Sequence, residues 1–179
     1  AMATGIKRVA PDNFVFTYQG DGDLAAIGTA EIIHAANRGE LISTVFINNA
    51  IYGMTGGQMA PTTLPGMKTT SSPTGRDCAV AGYPIKMSEI LANTAGAVYV
   101  TRQSATNIAA IRRLKKAIKR AFLAQVEGLG FGCVEVLSTC PTNWNMDPWE
   151  AMQWVEENMP TYFPLGDYKM TDEIKALKV

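Results

Sequence analysis

Soft metal ligands are scarce in this sequence. It holds three cysteines, Cys78, Cys133 and Cys140, and one histidine, His34, among 179 residues. An odd, widely spaced trio is no disulfide framework. Without a Cys-x-x-Cys pair the chain cannot build a four-thiolate metal site alone. Net charge is lacking too: 16 Lys and Arg balance 16 Asp and Glu. That balance argues against a nucleic-acid or anionic-membrane partner, and its weak colloidal protection suits a protein that lives in a complex. No apolar run approaches the roughly 18 residues of a membrane span, and no secretory leader is visible; the expectation is a cytoplasmic protein. Repeats and low-complexity tracts are absent. The opening Ala1-Met2-Ala3-Thr4 enters helix-forming residues at once, which suggests a chain cut from a longer one.

What is present is ordinary for a globular α/β chain: 47% apolar and 18% charged residues, enough for one domain spanning 1–179. Residues 14–18 form a β-prone run without polar alternation, predicting a buried parallel strand. Apolar residues from Leu24 to Ala36, with Gly39 beyond, predict a helix over 24–38 with a glycine stop. Residues 42–47 predict a second buried strand, completing one βαβ crossover. Further on, the pattern predicts a short helix from Pro84 to Asn93, a strand over 97–101 and a long helix over 107–127. That helix has an apolar stripe of Ile108, Ile111, Leu114, Ile118, Phe122 and Val126. A fourth strand follows over 133–137. Asp147 then caps a helix with Pro148 at its first position, ending near Pro160, and the tail from Thr161 wraps a surface. Strand and helix alternate, so the fold class is α/β with a mainly parallel central sheet flanked by helices.

The informative stretch is Gly20-Asp21-Gly22-Asp23, followed 28 residues after Asp21 by Asn49 within Asn48-Asn49-Ala50-Ile51-Tyr52-Gly53. A helix of about 14 residues travels roughly 21 Å out, and a six-residue strand travels roughly 20 Å back. Asp21 and Asn49 therefore land together at the carboxyl ends of neighbouring parallel strands, the edge where open α/β sheets bind ligands. A carboxylate and a carboxamide oxygen are hard ligands suited to Mg²⁺ shared with phosphate oxygens. Gly20 and Gly22 let the backbone approach a diphosphate, and a helix starting near Leu24 would aim its first N–H groups at the anion. The 53–77 segment, rich in Gly, Pro, Thr and Ser, reads as a long ordered loop over this site.

Gly-Asp-Gly followed by Asn-Asn at this spacing resembles the signature of thiamine-diphosphate enzymes. The resemblance implies that Mg²⁺ is held by Asp21, Asn49 and the carbonyl of Ile51, with Gly20, Gly22, Asp23, Leu24, Tyr52, Gly53, Met54 and Thr55 around the cofactor. Met54 is the candidate apolar wedge, and Thr55 and Gln58 are candidates to face substrate. Four stretches carry it further: Ala3-Thr4-Gly5-Ile6-Lys7, Thr17-Tyr18-Gln19-Gly20-Asp21-Gly22-Asp23, Ile51-Tyr52-Gly53-Met54-Thr55-Gly56-Gly57-Gln58 and Ser138-Thr139-Cys140-Pro141-Thr142-Asn143-Trp144. Together they resemble the β subunit of 2-oxoacid:ferredoxin oxidoreductases. The resemblance implies the three-layer thiamine-diphosphate-binding fold and oxidative decarboxylation of a 2-oxoacid to an acyl-coenzyme A, with electrons passed to ferredoxin. It leans to 2-oxoisovalerate or 2-oxoglutarate as substrate.

By the same resemblance Cys140 is the fourth ligand of a [4Fe–4S] cluster whose other ligands lie in an amino-terminal segment not in this sequence. The expectation is therefore that this chain holds no cluster, and that a Cys-x-x-Cys pair lies upstream. The carboxylate that activates the aminopyrimidine comes from another subunit. No catalytic residue is expected here, and the chain alone should be inactive. Cys78 and Cys133 read as ordinary thiols, and His34 as a helical residue without a role. The basic face of the long helix (Arg112, Arg113, Lys115, Lys116, Lys119, Arg120) reads as solvated, with docking of an acidic electron carrier as the alternative. Two rival functions stay open: a split non-oxidative 2-oxoacid decarboxylase, and a non-catalytic diphosphate-binding module.

Overall fold

The computed structural model of the chain describes residues 1–178. Helix α1 (Met2–Val9) leads to strand β1 (Phe16–Gly20); a π-helical turn (Asp23–Ile27) and α2 (Thr29–Asn37) return the chain to β2 (Ser43–Asn48). A long loop follows, with α3 (Cys78–Ala81) near its end, then α4 (Met87–Ala92) and β3 (Ala97–Ser104). Next come α5 (Ile108–Val126), β4 (Phe131–Leu137), α6 (Pro141–Trp144), α7 (Pro148–Tyr162), β5 (Gly166–Met170) and α8 (Asp172–Ala176). The strands form one sheet in the order β1-β2-β4-β3-β5. The first four are parallel, and β5 joins β3 antiparallel.

Alternation along the strands divides the core into two layers. Phe46, Val100 and Cys133 face Leu24, Ile32 and Ala36 of the crossover and Met87 and Leu91 of α4. Val45, Tyr99, Val134 and Val136 face α5 and Ile174 of α8. A third cluster, where Val155 and Met159 of α7 meet Ala50, Leu64, Leu137 and Phe163, roofs the carboxyl end of the sheet. The α/β class and the three-layer arrangement are as the sequence implies.

Five local expectations need correction. The first strand is a sheet edge, not a buried strand: Phe16 is 51% and Tyr18 70% exposed. Phe14 and Phe16 find a partner in Phe122 of α5, at ring separations of 4.9 and 5.5 Å. The long helix presents a shifted face, with Leu114, Ile118 and Phe122 of the expected stripe half-buried at its margin. It buries Ala110, Ala117, Ala121, Ala124 and Gln125, while Ile108 and Val126 stay exposed. Small residues win because α5 lies close on the sheet: a Cβ at Gly132 would stand 3.3 Å from the Ala121 Cβ. Gln125, a polar residue in that face, is satisfied by the Val15 N–H and C=O (2.7 and 2.8 Å) and by Ser43 Oγ (3.0 Å).

The crossover helix is not continuous, because the π-helical turn closes at Gly28. The Gly28 N–H donates to the Asp23 carbonyl at 2.7 Å, and a Cβ there would lie 2.4 Å from that oxygen; only glycine fits. Helix α7 runs past Pro160 to Tyr162. The proline sits in the last turn, and burial of Val155, Met159 and Phe163 fixes the helix around it. Finally, the tail adds strand β5 to the sheet. Its sequence Gly-Asp-Tyr-Lys-Met alternates polar and apolar residues over only four positions, and it pairs antiparallel with the open edge of β3.

Candidate cofactor site

Strands β1 and β2 run in register, Gly20 beside Ile47, so Asp21 and Asn49 each follow a strand end at one edge of the sheet. Asp21 is 4% exposed. Its Oδ2 accepts from the Ile51 N–H at 3.2 Å and from Thr62 Oγ1 at 2.9 Å. The Asn49 carboxamide oxygen lies 3.2 Å from that same Oδ2 and 2.7 Å from the Ile51 carbonyl oxygen; an amide nitrogen turned into its place would donate to both. The Ile51 N–H also approaches Asn49 Oδ1, at 3.3 Å.

A carboxylate, a carboxamide and a backbone carbonyl thus converge: an Asn49 amide nitrogen can bridge Asp21 Oδ2 and the Ile51 carbonyl in the metal-free chain, and the same amide turned over sets its oxygen beside both. Their spacing is what a small hard cation needs. Mg²⁺ with oxygens at about 2.0–2.1 Å in octahedral geometry puts adjacent ligands about 3 Å apart. Among the described residues no group of three or more His, Cys, Asp or Glu side chains gathers for a metal; the donor set is the hard-oxygen kind. Its electrostatics agree. Burial pushes the Asp21 carboxyl up to about 6, against the pull of the Thr62 and Ile51 donors. Burial, then the Asp21 charge, raises the Tyr52 phenol. The carboxylate is therefore short of positive charge in the metal-free chain.

The turn that delivers Asn49 and Ile51 is fixed from below. Ala50 has a left-handed backbone, φ 59°, and is fully buried. Its N–H donates to Asn48 Oδ1 at 3.1 Å and its carbonyl accepts from Thr63 Oγ1 at 2.6 Å. Thr62 and Thr63 belong to the long 53–77 loop, which is ordered, as expected of a loop over a site. Arg76 holds it. Its guanidinium, 6% exposed, donates to the carbonyls of Ala60, Pro61, Thr63, Ala81 and Gly82 at 2.9–3.2 Å. Neither the threonines nor Arg76 stand out in the sequence; the available signal is the one arginine of a Thr/Pro/Gly stretch that carries few charges.

The remaining predicted residues surround this centre unequally. Asp23 folds back to accept from the Gly20 N–H at 3.1 Å, and the Tyr52 ring lies over Gly22. The π-helical turn starts at Asp23, next to the expected Leu24, whose side chain is fully buried in the core; only its backbone can face a ligand. Met54 is fully exposed, and Thr55 and Gln58 bond each other. Cys140 belongs to the same neighbourhood. Its Sγ would stand 3.1 Å from a Cβ at Gly53, and Asn143 Nδ2 links that sulfur (3.2 Å) to the Gly53 carbonyl (2.9 Å). Burial pushes the Cys133 thiol up, as befits a core residue. His34 sits exposed in the last turn of α2, outside the contacts described for the site. Among the described residues no helix is long and apolar enough to cross a membrane.

Comparison with known proteins points the same way. The family described as thiamine pyrophosphate enzyme, C-terminal TPP binding domain, matches residues 1–136. Ketoisovalerate oxidoreductase subunit VorA of Methanothermobacter thermautotrophicus is 50% identical over 169 residues, covering 94% of this chain and 35% of the relative. The 2-oxoglutarate synthase subunit KorB of Archaeoglobus fulgidus is 39% identical over 179 residues, 100% of this chain and 61% of the relative. A solved 2-oxoglutarate:ferredoxin oxidoreductase from Magnetococcus marinus, with 2-oxoglutarate, coenzyme A and succinyl-CoA bound, superposes with a TM-score of 0.70 at 26% identity, over 96% of this chain and 61% of that one. This chain therefore spans between about a third and three-fifths of the proteins it resembles, and it belongs to the family of C-terminal TPP-binding domains of thiamine pyrophosphate enzymes.

Proposed function

We propose that the chain is the diphosphate- and Mg²⁺-binding part of a 2-oxoacid:ferredoxin oxidoreductase, which converts a 2-oxoacid, coenzyme A and oxidised ferredoxin to an acyl-CoA, CO₂ and reduced ferredoxin. The observation that carries it is the convergence of the Asp21 carboxylate, the Asn49 carboxamide and the Ile51 carbonyl: one Asn49 amide atom stands 3.2 Å from Asp21 Oδ2 and 2.7 Å from the Ile51 carbonyl oxygen. When bound, thiamine diphosphate supplies the electron sink that lets a 2-oxoacid lose CO₂. The chain's own work is binding. Asp21, Asn49 and Ile51 would hold Mg²⁺, and the backbone of Gly20, Gly22, Asp23 and Leu24 lies at the helical turn that would meet the diphosphate. Tyr52, Gly53, Met54 and Thr55 form the rim. Met54, exposed here, offers an apolar surface for the cofactor or a partner subunit.

The relatives' names favour 2-oxoisovalerate, with 2-oxoglutarate next, since the ketoisovalerate subunit is the more similar. In this reading the aminopyrimidine-activating carboxylate comes from a partner subunit, and Cys140 ligates iron in the complete, cluster-bearing subunit. The test is calorimetric titration of the chain with thiamine diphosphate in Mg²⁺ and in EDTA. Binding that requires Mg²⁺ and the diphosphate is expected; equal binding of thiamine monophosphate, or indifference to EDTA, would refute the site. 2-Oxoacid-dependent dye reduction by the chain alone would refute the need for partner subunits.

A further inference from the structure

Beneath the candidate cation site runs a buried polar network that the binding role does not itself require. The strand register sets Phe46, Glu135 and Arg102 side by side across β2, β4 and β3. Glu135 is 1% exposed, and Asn48 and Arg102 are fully buried. The Arg102 guanidinium forks onto Glu89 at 2.6 and 3.1 Å and also bonds Tyr168 and the Pro164 carbonyl. Its Nε stands 2.9 Å from Glu135 Oε2 but off-line for a hydrogen bond, so that contact is coulombic. Ser88 Oγ donates to the same Oε2 at 2.5 Å. The other oxygen, Oε1, accepts from Asn48 Nδ2 at 2.8 Å.

That last bond has a directional consequence. A carboxylate only accepts, so Glu135 forces the Asn48 amide to present Nδ2 to it. Oδ1 must then point the other way, to the Ala50 N–H. The left-handed turn at Ala50, with φ 59°, separates Asn49 from Ile51. We propose that Glu135 is a positioning residue for the cation site. By fixing which way the Asn48 amide faces, it holds the Ala50 turn, and with it the Asn49 carboxamide and the Ile51 carbonyl. This rests on the Mg²⁺–diphosphate reading above, yet it makes a claim about Ala50 that can be measured without any ligand.

The relay can be reversed chemically. Glu135→Gln lets position 135 donate, which releases the Asn48 amide to flip and set its NH₂ against the Ala50 N–H. Asn48→Asp sets two carboxylates against each other. Together, the two substitutions restore complementarity: the introduced glutamine amide donates to the introduced carboxylate, whose second oxygen accepts from the Ala50 N–H, and the net charge is unchanged. Mg²⁺-dependent affinity for thiamine diphosphate should fall about tenfold or more in each single variant, the range for residues that orient metal ligands, and recover to within about threefold of wild type in the double variant. Amide exchange at Ala50 in the ligand-free chain should follow the same order: protected, lost, lost, regained. Ile174→Ala, in the opposite core layer, controls for stability loss alone and should leave affinity unchanged at a temperature where it is folded.

Should a single variant fail to fold, recovery of cooperative melting in the double variant is itself the expected rescue. Unchanged affinity and unchanged Ala50 protection in Glu135→Gln would overturn the proposal, as would a double variant no better than the singles. If the wild type binds no thiamine diphosphate, the functional reading falls, and the Ala50 protection pattern still decides the positioning claim.

Discussion

Two buried carboxylates, Asp21 at the tip of β1 and Glu135 inside β4, are housed in opposite ways. Glu135 has a guanidinium, a hydroxyl and an amide arranged around both oxygens. Asp21 has only neutral donors, from Thr62, Ile51 and the backbone of its own turn, and burial pushes its carboxyl up to about 6. The first is the way architecture accommodates a charge in the interior, with the counter-charge built in. The second has no counter-charge built in, as the proposed cation site requires. The pair teaches that two nearly inaccessible acids can differ in whether the counter-charge is built in beside them.

Removing each charge should expose the difference most sharply. Glu135→Leu leaves the fully buried Arg102 with Glu89 alone, and should destabilise the chain by about 3–5 kcal/mol, the cost of breaking a buried pair, measured by urea unfolding. Asp21→Asn should act in the reverse direction. It removes a carboxylate whose folded pKa of about 6 stands above its ordinary 3.8, and should stabilise the metal-free chain at pH 7 by about 3 kcal/mol, while abolishing Mg²⁺-dependent cofactor binding.

The sign follows from linkage. Between pH 3.8 and about 6 the folded chain keeps a proton that the unfolded chain has lost. The Asp21 contribution is therefore most favourable below the ordinary value of 3.8 and declines as pH rises through about 6. Urea melts in EDTA should show the advantage of Asp21→Asn shrinking from about pH 7 to about pH 4. An advantage independent of pH would mean that the charge is not the cause.

A smaller contrast tests the corrected face of α5. Ala121→Leu should cost about 1–3 kcal/mol by overpacking against Gly132, whereas Ile108→Ala, at a position 72% exposed, should cost less than about 0.5 kcal/mol. Thermal melts of the two variants decide whether Ala121 or Ile108 meets the sheet.

These contrasts also mark what can be read from the residues. The pairing of Asp21 with Asn49 is legible because chain length alone fixes it: one helix out and one strand back leave little freedom in where the second tip lands. The surroundings of Glu135 are not. Its partners come from β2, β3 and α4, and the order β2-β4-β3 is a tertiary fact that no alternation encodes, although a lone glutamate within Cys133–Leu137 signals that a partner is needed. The face of α5 escapes the sequence for a related reason. Large apolar residues suggest a stripe, but the distance between helix and sheet, set by Gly132 and the alanines, decides which side turns inward. Strand β5 escapes it because its pairing comes from β3 and the alternation of Asp167 to Met170 is too short to stand out.

The most direct measurement of the central claim is the environment of bound Mn²⁺ in place of Mg²⁺, by electron paramagnetic resonance with thiamine diphosphate labelled with ¹⁷O in its phosphates. One Mn²⁺ per chain, broadened by the labelled phosphate oxygens and lost in Asp21→Ala, is the predicted result. Mn²⁺ bound equally well by Asp21→Ala, or showing no broadening from the labelled diphosphate, would contradict it.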